Sequence, residues 1–187
     1  MTEQEYFDAL SEVLHPQLRD GRKIVGGHFV VEELNQHPFE LNVRGLATHE
    51  AIKLEGMKVD WPCFRGSHRF ANRRCDRIVV AWNAGKAIPQ FLLVELKSGN
   101  SAGANAQLGA SLAFCQFLHH MICVGQKSPP KPEFAAITVS STPFALKLGS
   151  TPSLPRWNPQ GIHPDCKHMH FGRSRGSLPI GAVLANL

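Results

Sequence analysis

The 187-residue sequence predicts an α/β fold, a sheet covered on both faces, because its central part runs strand, strand, helix, strand. Three observations carry that expectation. Phe91–Lys97 (FLLVELK) is apolar on both alternating faces until its end, the mark of a strand buried on both sides. Cys75–Trp82 (CDRIVVAW) precedes it across the short Asn83–Lys86 connection, which permits a hairpin. Leu108, Leu112, Cys115, Leu118 or His119, and Ile122 then form one helical stripe, followed by the strand Glu133–Ser140 (EFAAITVS).

The flanking elements follow in order. Residues 3–14 place Tyr6, Phe7, Leu10, Val13 and Leu14 at helical spacing, with Thr2 as cap and Glu5 three positions on. His15-Pro16 ends that helix. His28–Leu34 and Phe39–Val43 read as two strands with a hairpin connection between them. Thr48–Lys58 allows a helical turn that Gly56 cuts short, and Trp61-Pro62 with Gly66 reads as a loop. In the long helix, Ala104, Ala106, Gly109 and Ala110 allow close approach to the sheet, and the adjacent His119 and His120 read as helix surface. Ser128–Pro132 is a rigid exit. The expected organisation is one domain, its core ending near residue 142 and an irregular, proline-rich extension covering 143–187, with IGAVLANL as a last strand or docked tail.

Chemistry concentrates at the ends of the two central strands. Phe91, Leu93, Glu95 and Lys97 share one face of their strand, and Asp76 starts the preceding one. A carboxylate and an amine at the end of a buried strand are costly without partners. One arrangement that accepts them is a cross-strand ion pair at the sheet end. Another is a hard divalent cation, magnesium or manganese, between Asp76 and Glu95, with Lys97 beside it.

Asp76 followed by Glu95-Leu96-Lys97 resembles the D…(D/E)xK motif of the PD-(D/E)xK, or restriction-endonuclease-like, nuclease superfamily. The resemblance covers roughly residues 70–125, and departs from the pattern where Cys75 stands in place of the proline. It implies a three-layer α/β/α core with a mixed central sheet. It also implies a Mg²⁺- or Mn²⁺-dependent, endonuclease-type phosphodiesterase acting on nucleic acid, DNA favoured. Asp76, Glu95 and the Leu96 carbonyl would hold the metal, and Lys97 would orient the attacking water and stabilise the phosphate. Gln107 corresponds to a glutamine that related nucleases often carry in the helix after the catalytic strand. Glu12 is the position for an additional acid from an N-terminal helix, in competition with Glu3 and Glu5. Compact nucleases of this class often act on duplexes as dimers, so the resemblance also implies a homodimer or a larger protein complex as the setting for substrate choice.

Charge agrees with a polyanionic partner: the net formal charge is +5 and the isoelectric point is near 9.1. Arg65, Arg69, Arg73, Arg74 and Arg77 crowd the approach to Asp76, Arg173 and Arg175 follow near the C-terminus, and guanidinium forks match phosphate oxygens. Trp61, Phe64 and Phe70 can stack on bases or fill the core. The same arginines suit a non-catalytic nucleic-acid-binding or assembly subunit. His163, Cys166, His168 and His170 are zinc-capable ligand types, which opens a further reading as a zinc-stabilised interaction domain, while the alternation of His168 and His170 equally suits a strand. No run approaches the ~20 apolar residues of a membrane span. The polar N-terminus and five irregularly spaced cysteines predict a cytoplasmic protein with reduced thiols and no membrane partner.

Overall fold

The computed structural model describes residues 1–19, 28–33, 39–44, 49–54, 73–97, 103–140, 158–172 and 177–179, together with Leu184. The helices are α1 (Glu3–Val13) and α2 (Ala104–Ile122). The strands are β1 (His28–Glu33), β2 (Phe39–Arg44), β3 (His49–Ile52), β4 (Arg77–Asn83), β5 (Ile88–Lys97), β6 (Glu133–Ser140), β7 (Asn158–His163), β8 (Cys166–Gly172) and β9 (Ser177–Pro179). Six of them make one mixed sheet in the order β3-β4-β5-β6-β8-β7, and β1, β2 and β9 make a smaller one.

The β4–β5 hairpin forms as its short connection predicts, antiparallel, with Arg77 opposite Val94 and Asn83 opposite Ile88. The parallel pairing of β5 with β6 requires a crossover, which α2 supplies. The 10-residue β5 lies centrally, and Phe91 through Leu96 are all buried. Strand alternation divides those residues between two layers. Ile78, Val80, Phe91, Leu93, Phe134, Ala136 and Cys166 form one apolar cluster with Tyr6, Leu10 and Leu14 of the α1 region and with Leu108, Leu112, Cys115, Leu118 and Ile122 of α2. Both helices therefore cover the same face. The intervening residues Val79, Leu92, Val94, Leu96, Ala135, Ile137 and Val139 are equally buried on the other side. There Gln90 Nε2 donates to the carbonyl of Leu184, a helical residue, at 3.2 Å.

Helix α1 begins as its sequence predicts. Thr2 Oγ1 accepts from the Glu5 main chain, and the Glu5 carboxylate accepts from that of Thr2, a reciprocal cap. Val13, part of the expected apolar stripe, is instead 41% exposed, since Tyr6, Leu10 and Leu14 already fill the contact with α2 and the sheet. His119 is a second correction. It is half-buried at the α1–α2 contact, where Tyr6 Oη meets its Nδ1 at 3.0 Å and the two rings stack; His120 stays exposed. Burial lowers the His119 pKa, so a neutral ring pairs with the tyrosine hydroxyl.

Two stretches take a different form from their sequence pattern. His49–Ile52 is an edge strand against β4, because the Ile52–Ile78 pairing buries Ile52 more fully than one helical turn would. The C-terminal third, expected to be irregular, supplies β7 and β8 to the main sheet and β9 to the smaller one. Its prolines fall outside β8, and β8 pairs with β6 in parallel from Phe134–Cys166 to Ser140–Gly172. The short run at β9 pairs with β2. No helix among the described residues is long and apolar enough to cross a membrane. Cys75, Cys115, Cys123 and Cys166 are buried free thiols.

Candidate active site

The register that places Arg77 opposite Val94 sets Asp76, the residue just before β4, beside Glu95. By alternation both belong to the helix-covered face. Asp76 is 8% exposed and Glu95 1%. Asp76 Oδ2 accepts from the Leu96 main-chain nitrogen at 2.5 Å, so the aspartate closes the hairpin at the point where regular pairing ends. Lys97, the next residue on the Glu95 face, brings its Nζ to 2.5 Å from Glu95 Oε1. The same ammonium donates to Gln107 Oε1 at 2.6 Å. Four of the residues singled out in the sequence thus meet at one strand end: Asp76, Glu95, Lys97 and Gln107.

Helix α2 holds this end in place through side chains. Gln107 Nε2 donates to the Arg74 carbonyl at 3.1 Å, and Ser111 Oγ accepts from the Cys75 main chain at 2.8 Å. One helical turn therefore clamps the two residues preceding Asp76. Ser111 is buried, and sequence reasoning passes over it; its signal is a lone hydroxyl on the apolar stripe, one turn after Gln107. Helix α2 starts at Gly103 with φ +88°, a left-handed value that favours glycine. A Cβ there would also lie 3.1 Å from Arg73 Nη1, so the guanidinium rests against the bare backbone of the helix start.

The electrostatics of the pair are unbalanced. Burial, followed by the neighbouring Asp76 charge, pushes the Glu95 carboxyl up to about 8, against the opposing hydrogen bonds of Lys97 and the Asp76 main chain. Glu95 Oε2 is buried and meets no hydrogen-bond donor among the described residues. An orphaned carboxylate oxygen beside a second carboxylate is a place that a divalent cation fits. Asp76 and Glu95 would supply the charged oxygens. The carbonyl of Leu96, whose own N–H is accepted by Asp76, is the adjoining main-chain oxygen.

The remaining sequence candidates are distributed unevenly. Arg73 is exposed and Arg74 half-buried, with Arg74 Nη1 donating to the Leu54 carbonyl at 3.4 Å. The sequence groups Arg77 with the phosphate-facing arginines, but it is 2% exposed. One step along β4 from Asp76, its side chain enters the opposite face, and its Nη1 donates to the Asp76 carbonyl at 2.6 Å. It steadies the backbone of Asp76 from that side. Trp61, Phe64, Arg65, Arg69, Phe70, Arg173 and Arg175 lie outside the described residues. Glu12 is exposed on α1, and among the described residues no three His, Cys, Asp or Glu side chains form a group able to hold a metal ion.

The four zinc-capable residues are engaged separately. Cys166 is packed in the core, its thiol 3.7 Å from the Lys167 carbonyl, and exposed His163 accepts from the Asp165 main chain through Nδ1 at 3.2 Å. His168 is buried, with Nε2 3.0 Å from Thr138 Oγ1, while His170 is exposed beside it. A scan of family models finds no match for the chain, and searches of curated proteins and of solved structures find none either.

Proposed function

We propose that this chain is a metal-dependent phosphodiesterase that hydrolyses nucleic acid, DNA favoured, at Asp76, Glu95 and Lys97, on a three-layer core of the restriction-endonuclease-like kind. The observation that carries the reading is the orphaned Glu95 Oε2, buried beside Asp76 and one alternation away from a lysine that α2 holds by hydrogen bond. A structural ion pair would need one carboxylate for one ammonium. Here the Glu95 carboxylate lies beside the Asp76 charge as well as the Lys97 ammonium, and burial forces it toward protonation unless a cation joins it.

Magnesium or manganese held by Asp76, Glu95 and the Leu96 carbonyl would neutralise charge on the scissile phosphate and favour ionisation of the attacking water. Lys97 then has two tasks. Its ammonium orients the water, and it offsets the negative charge that grows on the phosphoryl oxygens as the leaving oxygen departs. Gln107 fixes Lys97 Nζ from the helix side and so sets the direction in which the ammonium points. Arg73, exposed three residues before Asp76 and with its guanidinium beside the start of α2, carries positive charge on the approach to the site. Water adds to phosphorus, the bridging oxygen leaves with a proton, and no side chain becomes covalently attached.

The direct test is to incubate the purified chain with labelled DNA and RNA in Mg²⁺, Mn²⁺ or EDTA, beside Lys97→Ala. Cleavage is expected with either metal, to stop in EDTA, and to be lost in the variant. Binding without cleavage in every metal would leave a nucleic-acid-binding subunit in place of an enzyme. Gln107→Leu keeps the side-chain volume but removes both hydrogen bonds. It is expected to lower kcat by roughly 10–100-fold, the usual scale for a group that orients another, with KM little changed. A kcat within twofold of wild type would remove Gln107 from the machinery.

A further inference from the structure

We propose that His170, propped by the His168–Thr138 pair, is a second phosphate-contacting residue of this site, taking a backbone phosphate next to the one held at Asp76, Glu95 and Lys97. The inference rests on the phosphodiesterase reading and extends it to substrate positioning.

The sheet register supplies the geometry. Glu95 pairs with Thr138 across β5–β6, and Thr138 pairs with His170 across β6–β8. All three belong to the helix-covered face at one level of the sheet, because alternation along three parallel strands is in phase. Two strand spacings put His170 on the order of 10 Å from Glu95. That is too far to share the scissile phosphate and near enough to meet the same strand of nucleic acid.

The second observation is how the ring is held. His168 is 2% exposed and hydrogen-bonded to the buried Thr138, and its ring centroid lies 4.5 Å from that of exposed His170 at an interplanar angle of 51°. Burial, followed by the neighbouring His170, lowers the His168 pKa to about 4, so the inner ring is neutral at pH 7 and serves as a wall. A polar threonine and a histidine buried in a β6–β8 row that otherwise carries Phe134, Ala136 and Cys166 are costly as filler. They make sense as the support of the polar ring beyond them. His168 is thus a positioning residue, and exposed His170 offers a ring N–H donor on the face that carries Glu95.

The experiment pairs binding with kinetics. Affinity for a fluorescent DNA duplex is measured in EDTA for wild type, His170→Ala and His170→Arg, and cleavage by the same proteins is followed in Mg²⁺. His170→Ala is expected to bind about 5–10-fold more weakly, with KM raised by the same factor and kcat unchanged, while His170→Arg restores both. Because His170 is exposed, the variants should keep the wild-type Tm. If His170→Ala binds within twofold of wild type while wild type cleaves, the inference fails and the phosphodiesterase reading stands. If binding depends on His170 but no metal supports cleavage, the phosphate contact stands and the enzyme reading fails. A wild type that neither binds nor cleaves overturns both.

Discussion

Glu95→Gln is expected to abolish metal-dependent cleavage, by at least about a thousandfold, and to make the metal-free protein more stable at alkaline pH. The two effects have one cause. The Glu95 carboxyl is pushed up to about 8 by burial and by Asp76, above its ordinary value of 4.5. Between those two pH values the unfolded chain gives up the proton that the folded chain keeps. Stability therefore falls as pH rises through this window, and the full cost of an ionised Glu95 is present above it. A glutamine has the same shape and carries no charge to desolvate. At pH 8 in EDTA the variant should gain on the order of 3 kcal/mol, since each tenfold change in proton affinity is worth about 1.4 kcal/mol and relaxation around the charge recovers part of the total. At pH 5, where the native carboxyl is protonated, wild type and variant should unfold alike. Urea unfolding at both pH values checks this, and equal stabilities at pH 8 would mean that Glu95 is not a strained acid. Saturating Mg²⁺ should reverse the order at pH 8 by stabilising wild type alone.

Phe91→Ala is expected to cost about 3–5 kcal/mol, the range for truncating a buried aromatic side chain. Phe91 is fully buried at the centre of β5, stacked on Phe134 at 5.3 Å and edge-on to His119 at 6.2 Å. It joins three contacts at once: β5 to β6, the sheet to α2, and through His119 and Tyr6, α2 to α1. No neighbour can collapse into the hole without breaking one of them. For a chain of this length the loss corresponds to a fall in Tm of roughly 10 °C. A cost under about 1 kcal/mol would show that the helix-covered face is not packed as described.

Much of this is legible locally. The length and two-faced apolarity of FLLVELK are enough to make β5 central, because a strand exposed on one side would show polar alternation. The short Asn83–Lys86 connection sets β4 antiparallel to it, and the period of two then delivers Asp76, Glu95 and Lys97 to one face. The stripe of α2 and the Thr2–Glu5 cap of α1 follow from periods of three to four residues. Each of these depends on residues close in the chain, where spacing and geometry are nearly the same thing.

Only the tertiary structure decided the rest. The Cys75–Ser111 hydrogen bond joins residues 36 apart, and the Thr138–His168 bond joins residues 30 apart. No periodicity announces such pairings, since a buried hydroxyl looks like any other until its partner arrives. The alternation of His168 and His170 suits a strand as well as a metal, and the pairing of β8 with β6 places them on a strand with one ring buried and the other exposed. Charge alone argues for solvent and so groups Arg77 with the surface arginines. The register of β4 sends it to the face opposite Asp76, where the carbonyl of Asp76 itself accepts its guanidinium. The sequence by itself determined which side chains share a strand end. The order of strands around that end determined which of them are desolvated, and desolvation is what turns an ordinary Glu-x-Lys into a candidate site.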